Sequence, residues 1–205
     1  DRMLAVDECG EVVDGDQLMS ICGNYMKQKG TLKKNTIVAT VMSNLGMFLM
    51  GEREGIHIEK TKVGDRYVLE NMLENGYNIG GEQSEHIIFL DENTTGDGLL
   101  SALHLLQVMT ETKKKLSELA SIMEVLPQAL VNAKVPNHKK EHFEEYAEIA
   151  EAIAEVEAKF AGEGRVLIRP SGTEPLVRVM IEGKDQQLIE SEAQKLAELI
   201  SSIML

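Results

Sequence analysis

The sequence contains little that would support a disulfide scaffold, a zinc site or a membrane anchor. Two of its 205 residues are cysteines, Cys9 and Cys22, with no Cys-x-x-Cys pair and no paired histidines at zinc-ligand spacing. No apolar run approaches the roughly 20 residues that a membrane-spanning helix needs. These absences favour a protein of the reducing cytoplasm without a membrane partner.

Basic residues are also scarce. The chain has 21 Lys and Arg against 34 Asp and Glu, a net charge of −13. Binding a nucleic acid backbone usually requires a dense basic face. The two lysine runs, 113–115 and 139–140, are short and flanked by acids, and we interpret them as solvated helix ends. The composition therefore argues against a nucleic acid partner, and an anionic ligand would have to be held by local donors.

Strand and helix patterns alternate through the first 126 residues. Apolar, β-branched runs predict strands at 36–41, 56–63 and 86–90. Amphipathic helices are predicted behind Asp14, behind Asn44, from Asp65 to Glu74, and behind Asp97. The helix behind Asp97 is expected to bury a stripe formed by Leu99, Leu100, Leu103, Leu106 and Met109. This alternation predicts an α/β fold, a three-layer domain with a mixed sheet.

The pattern changes after Pro127. A strand at 129–135 is followed by a long acidic helix, Glu141–Ala161, then two strands at 165–169 and 176–182 and a last helix at 186–203. This order predicts a smaller α+β domain, an antiparallel sheet with helices on one side.

The loop between those two strands, Arg169–Pro175, combines groups that bind anions. Two hydroxyls lie within it, Gly172 can adopt a positive φ, and Arg169 and Arg178 bracket it. The N–H groups of Ser171, Gly172 and Thr173 could converge, and hydroxyls with a guanidinium would complete an anion cage. A tight hairpin with two unrelated arginines is the alternative. The bracketing arginines and the two prolines favour a phosphate site.

A second polar loop, Gly80–His86, precedes the strand at 86–90. The paired glycines would let the backbone approach a ligand closely. Glu82 and Ser84 are two residues apart, so in an extended loop both side chains would point to the same side. A carboxylate and a hydroxyl there could bind neighbouring sugar hydroxyls. A polar turn leading into a strand explains the loop equally well.

The segment Arg169–Pro175 resembles the phosphate-binding loop in the last domain of the α-D-phosphohexomutase superfamily, and the resemblance extends over essentially the whole chain. In that superfamily four domains surround one cleft. The resemblance implies that residues 1–13 are the tail of the preceding, metal-loop domain, 14–126 the α/β sugar-binding domain, and 127–205 the α+β phosphate-binding domain.

The resemblance also implies roles for individual residues. Substrate binding would fall to Glu82, Ser84, Arg169, Ser171, Gly172, Thr173 and Arg178. His86 matches a family histidine close to the substrate, and Arg66 either contacts phosphate or pairs with a neighbouring acid. Glu85 departs from the family motif, which has Gly there, and a carboxylate at this place would crowd the cleft or repel phosphate unless it turns to solvent.

Gln83 resembles the phosphoglucosamine mutase branch of the superfamily. That branch implies interconversion of glucosamine 6-phosphate and glucosamine 1-phosphate through a phosphoserine and a bisphosphate intermediate, in the synthesis of UDP-N-acetylglucosamine and cell-wall precursors. The alternatives are a phosphomannomutase or phosphoglucomutase of the same superfamily, or a standalone phosphosugar-binding module.

Asp1-Arg2 look like the last two residues of the family's Asp-x-Asp-x-Asp-Arg loop, which holds Mg²⁺ beside the phosphoserine. The two earlier aspartates and the serine are not in this sequence, and one carboxylate cannot hold a hard divalent cation specifically. We therefore expect no magnesium binding and no mutase activity from this chain alone. We also expect it to contain no catalytic residue, although His86 or Arg66 could assist catalysis in the whole enzyme. The expected partners are a phosphorylated hexosamine and the N-terminal domains of a longer chain, with a homodimer left open.

Overall fold

A computed structural model describes residues 1–160 and 162–205. The chain divides into two compact units, Asp1–Val125 and Leu126–Leu205. The first is an α/β unit with a mixed sheet and the second a small α+β unit with an antiparallel sheet, so the predicted fold class is confirmed. The assignment of residues 1–13 to a preceding domain, and of the other two domains to 14–126 and 127–205, stays a prediction.

The N-terminal unit is built on a four-stranded sheet. Its elements are β1 (Ala5–Val6), β2 (Val12–Val13), α1 (Gly15–Lys29), β3 (Thr36–Thr40), α2 (Leu45–Glu54), β4 (His57–Thr61), α3 (Asp65–Asn75), β5 (Ile79–Gly81), β6 (Ile87–Phe89), α4 (Gly98–Thr112) and α5 (Leu116–Ala120), with a 3₁₀ turn at Lys33–Asn35. The strand order is β4-β3-β5-β6. β3 pairs in parallel with β4 and β5, and β6 runs antiparallel to β5.

Both faces of this sheet are buried. Ile37 and Ala39 of β3 point into the core shared with α1, α2, α4 and α5, whereas Val38 points to the opposite side. There it packs with Val68 and Met72 of α3. This two-residue alternation along a strand places helices on each face and makes the three layers.

The predicted buried stripe of α4 is wrong. Three of its members, Leu99, Leu103 and Leu106, are exposed, whereas Ser101, Leu105 and Val108 face the core; Leu100 and Met109 pack partly against it. The helix is apolar nearly all round, so both triplets have helical spacing and periodicity could not select between them. The helix start was identified correctly, because Asp97 accepts hydrogen bonds from the N–H groups of Leu99 and Leu100.

The strand β5 was not predicted, and it contains the paired glycines. Gly80 lies at the centre of the sheet, opposite Val38 and Ile88. A Cβ on Gly80 would lie 2.8 Å from the Val38 carbonyl oxygen and 2.8 Å from the Met72 sulfur. Gly81 is buried as well. These glycines therefore serve close packing inside the sheet.

The C-terminal unit is a three-stranded antiparallel sheet covered by helices. Its elements are β7 (Gln128–Lys134), a 3₁₀ helix (Lys140–Glu145), α6 (Ala147–Phe160), β8 (Gly164–Pro170), β9 (Leu176–Gly183) and α7 (Gln186–Met204), in the strand order β7-β9-β8. Val177, Val179 and Ile181 of β9 share one core with α6 and α7. Both helices therefore pack on the same face of the sheet.

The long acidic helix predicted at 141–161 is divided in the structure. Tyr146 has an extended backbone (φ −89°, ψ 111°) that separates the 3₁₀ helix from α6. Ala161, its predicted last residue, lies outside the described residues. Among residues 1–160 and 162–205, no helix combines the length and the apolar character needed to cross a membrane.

Candidate functional site

Two arginines face each other at the start of the loop between β8 and β9. Arg169 is the direct cross-strand partner of Arg178, and Asn132 of β7 pairs with Arg178 from the other side. Directly opposite residues in a sheet have their side chains on the same face. Val177 and Val179 point into the core, so this row projects from the face that α6 and α7 leave uncovered.

The Arg169 side chain has no carboxylate partner within the described part of the chain. Partial burial, and then the neighbouring charge of Arg178, lower the pKa of its guanidinium below the usual value. Arg178 donates a 3.2 Å hydrogen bond to the exposed carboxylate of Glu174. Exposed ion pairs of this kind contribute little to stability, so an incoming anion can replace Glu174 at small cost. Arg169 and Arg178, with only the exposed Glu174 as a described carboxylate partner, therefore form a positively charged patch on a protein whose net charge is negative.

The loop itself is closed by three hydrogen bonds. The Ser171 N–H donates to the Leu176 carbonyl (2.9 Å), the Glu174 N–H donates to the Ser171 hydroxyl oxygen (3.2 Å), and the Leu176 N–H donates to the Glu174 carbonyl (2.9 Å). The prediction that the Ser171 amide joins an anion nest is therefore wrong for this structure, since that donor is used within the loop. The N–H groups of Gly172 and Thr173 have no acceptor among the described residues, and both residues are exposed.

Gly172 is not required by its backbone conformation. Its φ is not positive, and a Cβ built there meets nothing within 4 Å. The positive φ that glycine makes possible at this position is not used in the structure. What a glycine provides is open space above its own amide, which leaves room for a ligand to approach.

Lys140 lies beneath this loop and was missed from the sequence. Its side chain is 8% exposed, and its ammonium donates to the carbonyl oxygens of Ser171 and Glu174. The interpretation of 139–140 as a solvated helix end is thus wrong for Lys140, while the half-buried Lys139 donates to the Met204 carbonyl (3.0 Å). No local signal distinguishes the two lysines, because the contacts of Lys140 are with residues 31 and 34 positions away. Asn132 was missed for a similar reason, since the register of β7 on β9 is not visible in a single sequence.

In the N-terminal unit, Glu82 to Glu85 form a tight turn. The Glu85 N–H donates to the Glu82 carbonyl (3.1 Å), and the Glu82 N–H donates to the His86 carbonyl (3.0 Å). The loop is therefore not extended, and the alternation argument for Glu82 and Ser84 does not apply. A Glu82 carboxylate oxygen accepts from the Gly64 N–H (3.1 Å), just before α3. The Ser84 hydroxyl, at the tip of the turn, has no partner among the described residues.

The start of α1 holds this turn from the other side. The Gly15 N–H donates to the Gln83 carbonyl (3.1 Å), and the Gln83 side-chain amide donates to the Asp14 carboxylate (3.2 Å). A Cβ on Gly15 would lie 2.2 Å from the Glu82 carbonyl oxygen, so only glycine permits this approach. Helix α1 and the residue preceding α3 together fix the turn.

Glu85 adopts a left-handed backbone conformation, with φ of 66°. Glycine adopts this region without the steric cost that a side chain brings, which accounts physically for glycine in the motif that this position departs from. Partial burial, followed by the charge of Asp14, raises the pKa of the Glu85 carboxyl, with Arg2 opposing. The departure thus affects the backbone and the charge of the turn together.

His86 is buried between two carboxylates. Its Nδ1 lies 3.4 Å from an Asp1 oxygen and its Nε2 3.8 Å from an Asp65 oxygen, the second too long for a hydrogen bond. Gly96 packs against the imidazole, since a Cβ there would lie 2.4 Å from Nε2. Across the described residues no group of three or more His, Cys, Asp or Glu side chains is placed to hold a metal. Asp1 alone does not meet the ligand requirement of Mg²⁺.

Arg66 follows the second of its two predicted alternatives. Its guanidinium pairs with Glu70, one helical turn away, at 2.7 Å, and both side chains are largely exposed. This surface pair explains the residue without a ligand.

A cavity of about 440 Å³ lies elsewhere in the N-terminal unit. Its lining includes Asn78, which precedes β5, and Asp91, which follows β6, whereas Glu82 and His86 flank the other ends of these strands. None of the predicted site residues lines it. Polar side chains at its rim are paired with each other, as in the 2.7 Å ion pair of Lys29 with Glu111. The predicted binding residues therefore lie on loops and a sheet face outside this cavity.

Comparison with known families matches both units. Residues 14–126 match the model of the phosphoglucomutase/phosphomannomutase α/β/α domain III, and residues 130–199 match that of the phosphoglucomutase/phosphomannomutase C-terminal domain. A curated relative, the phosphoglucosamine mutase of Ruminiclostridium cellulolyticum, is 63% identical over 200 residues. The match covers 98% of this chain and 44% of the relative, so the chain spans less than half of its length.

Solved structures show the same fold at low identity. One is an N-acetylglucosamine-phosphate mutase of the α-D-phosphohexomutase superfamily in its substrate complex, with a TM-score of 0.77 and 22% identity, covering 96% of this chain and 46% of that one. Another is the N-acetylphosphoglucosamine mutase of Aspergillus fumigatus in complex with GlcNAc-6P and magnesium, with a TM-score of 0.77 and 17% identity, covering 98% of this chain and 46% of that one. With both of its units matched by the models of one family, the chain belongs to the phosphoglucomutase/phosphomannomutase family of α-D-phosphohexomutases.

Proposed function

We propose that this chain is the substrate-binding part of a phosphoglucosamine mutase, an isomerase that interconverts glucosamine 6-phosphate and glucosamine 1-phosphate. Identity of 63% to a curated phosphoglucosamine mutase supports this choice within the family. Because the chain spans 44% of that relative, the phosphoserine and the magnesium loop would be supplied by sequence outside these 205 residues. The reaction would pass through a bisphosphate intermediate and serve the synthesis of UDP-N-acetylglucosamine and cell-wall precursors.

The observation that carries the proposal is the guanidinium of Arg169, which lies beside Arg178 and has no carboxylate partner among residues 1–160 and 162–205. A partly buried cation without a carboxylate, opposite a second cation, is unfavourable in the free protein and favourable once a dianion binds. The free N–H groups of Gly172 and Thr173 and the Thr173 hydroxyl add donors at the same loop. Arginine and backbone amides are the usual ligands of phosphate in proteins. We assign Arg169, Gly172, Thr173 and Arg178 as the groups that clamp the phosphate that is not reacting. Ser171 belongs to the same clamp by closing its loop through its own hydrogen bonds.

The clamp has a defined task in such a reaction. Phosphoryl transfer depends on positioning and on electrostatic stabilisation. A mutase must present first one and then the other end of the sugar phosphate to the same reacting group. The clamp would therefore hold one phosphate through charge and amide donors, without specificity for the carbon that bears it, in either orientation of the sugar.

The turn at Glu82–Glu85 is our candidate for the sugar hydroxyls. A Glu82 carboxylate oxygen accepts from the Gly64 amide, and the hydroxyl of Ser84, in the same turn, has no partner in the part of the chain that the structure describes. Each sugar hydroxyl both donates and accepts, so a carboxylate and a hydroxyl suit it. His86 would support the turn through its carbonyl, which accepts from the Glu82 amide.

Calorimetric titration of the 205-residue chain tests the proposal. We expect weak binding of glucosamine 6-phosphate, and an Arg169→Ala variant should lose at least about tenfold in affinity, the effect of one charge-assisted contact. Lys184→Ala is the matched control, because Lys184 is an exposed cation of the same unit, paired with Glu163 at 3.1 Å. Equal affinity of the chain and Arg169→Ala would refute the clamp.

Kinetics separate the related activities. The 205-residue chain should show no turnover by itself, and turnover by it would refute the division of labour proposed here. In the protein that also contains the preceding domains, glucosamine phosphate should be preferred over glucose and mannose phosphates. A preference for mannose phosphate would favour the phosphomannomutase alternative.

A further inference from the structure

The loop at 171–174 is held from below by one buried cation. The ammonium of Lys140 donates to the Ser171 carbonyl and, at 3.2 Å, to the Glu174 carbonyl, so it ties the two ends of the loop tip together. The exposed residues between these carbonyls are Gly172 and Thr173, whose amides have no acceptor in the described chain. A lysine that is 8% exposed therefore contacts the two carbonyls on either side of these amides.

The geometry of the peptide unit links Lys140 to one of those donors. The Ser171 carbonyl and the Gly172 N–H belong to the same peptide group, which is trans in this structure. In a trans peptide the C=O and N–H point in opposite directions and lie in one plane. A hydrogen bond that fixes the carbonyl towards the interior therefore fixes the N–H away from it, towards the exposed side of the loop.

The charge of Lys140 acts on the same group. A cationic donor at a carbonyl oxygen polarises the peptide and strengthens its N–H as a donor. Burial increases this effect, because the low local dielectric screens the ammonium less than water would. The same ammonium places a positive charge beneath the loop.

We propose that Lys140 is a positioning residue for phosphate recognition: it orients and polarises the Ser171–Gly172 peptide so that the Gly172 N–H donates to the bound phosphate. This role rests on the proposed function of the loop as a phosphate clamp. The Glu174 carbonyl is the second acceptor of the Lys140 ammonium. The next residue, Pro175, has no N–H, so this second hydrogen bond does not orient another amide donor. Lys139, next in sequence, has its ammonium on the Met204 carbonyl and has no such role.

The test compares three variants of the 205-residue chain. Lys140→Met keeps the length of the side chain and removes its charge and donors, Lys140→Arg keeps the charge, and Lys139→Met is the control. Inorganic phosphate and glucosamine 6-phosphate are titrated while the amide resonance of Gly172 is followed by ¹H–¹⁵N NMR. We expect Lys140→Met to bind about tenfold more weakly, as for loss of one charge-assisted contact, and to lose the phosphate-induced shift of Gly172. Lys140→Arg should recover part of both, and Lys139→Met should resemble the unsubstituted chain.

The outcomes separate this role from the clamp itself. If the unsubstituted chain binds and Lys140→Met binds equally well with the same Gly172 shift, the positioning role is wrong and the clamp stands. If no variant binds phosphate, the clamp is wrong, and the positioning role is then judged in the free chain. There, loss of a cation on the Ser171 carbonyl should move the Gly172 ¹⁵N resonance in Lys140→Met, and an unmoved resonance would overturn it. If Lys140→Met does not fold, Lys140→Gln, which keeps a donor and removes the charge, takes its place. Lys140→Gln that binds as tightly as Lys139→Met, with the same Gly172 shift, would overturn the positioning role.

Discussion

Arg169 and Arg178 are direct cross-strand partners, so two guanidinium groups occupy neighbouring positions on one face of the C-terminal sheet. Like charges placed opposite each other in a sheet are destabilising. Partial burial and the proximity of Arg178 lower the pKa of Arg169, because both make the charged guanidinium less favourable. We therefore expect an anion bound between the two groups to offset this cost more fully than the exposed Glu174 partner of Arg178 does.

We predict that Arg169→Met will not destabilise the free chain. Removing one of two opposed charges should leave the free energy of unfolding unchanged or raise it by up to about 1 kcal/mol, since the Met side chain retains much of the packing of the arginine stem. Phosphate at ten times its Kd should stabilise the unsubstituted chain by about 1.4 kcal/mol and the variant hardly at all. Thermal unfolding with and without phosphate measures both effects. A variant that is less stable by more than 1 kcal/mol, or that keeps the full phosphate effect, would contradict this.

Glu85 gives a second prediction, on stability and pH. Replacing a residue at φ 66° by glycine relieves backbone strain of about 1 kcal/mol, partly offset by the greater freedom of glycine in the unfolded chain. The raised pKa means that the folded chain holds the Glu85 proton more tightly than the unfolded chain does. Ionisation of Glu85 therefore costs stability, and the cost grows as pH rises from the unfolded pKa, about 4.3, through the higher folded value.

The charge part of that prediction is isolated by Glu85→Gln. At pH 7 Glu85→Gln should be more stable than the unsubstituted chain, and the difference should disappear by about pH 3, where Glu85 is protonated in both states. Urea unfolding at the two pH values measures it. Glu85→Gly should be at least as stable as Glu85→Gln at pH 7. A difference that persists or grows in acid would show that the charge of Glu85 is not the cause.

Local signals in the sequence were sufficient where the structure depends on neighbours along the chain. Helix α1 begins at the predicted cap, because Asp14 and Gln17 hydrogen-bond each other's backbone amides, and it ends at Gly30 in a left-handed conformation. The hairpin that carries Arg169 and Arg178 was likewise identified from its strand-like flanks.

Contacts between distant segments were not predictable in the same way. The glycines of β5 look like a loop because glycine is unfavourable in strands. The reason for glycine at position 80 is its close contact with Met72 and Val38, which are distant in sequence. Lys140 looks like a surface residue, since the loop it holds is 31 residues away. Glu85 was recognised as a departure from a motif, yet its backbone conformation became visible only in the folded turn.

A third prediction compares two glycines. A Cβ at Gly80 would lie 2.8 Å from the Val38 carbonyl oxygen, which belongs to the paired strand and cannot easily move. Gly80→Ala should therefore cost roughly 1–3 kcal/mol, as for other overpacked cores. Gly172→Ala is the control, with open space and an ordinary φ, and should change the free energy of unfolding by less than about 0.5 kcal/mol. Denaturant unfolding of both variants decides; equal costs would mean that β5 is not packed as described.

The last prediction concerns the two leucine faces of α4. Leu105 is 5% exposed and belongs to the main core, whereas Leu103 is 57% exposed. Leu105→Ala should cost about 2–5 kcal/mol, because it leaves a cavity that the surrounding side chains fill only in part. Leu103→Ala, the same substitution two residues earlier, should cost less than about 0.5 kcal/mol. Urea unfolding followed by circular dichroism measures both, with the transitions fitted separately if the two units unfold independently. If Leu103→Ala proved as costly as Leu105→Ala, the helix would have to be rotated so that the stripe predicted from the sequence is buried, because a side chain largely in water has little burial free energy to lose.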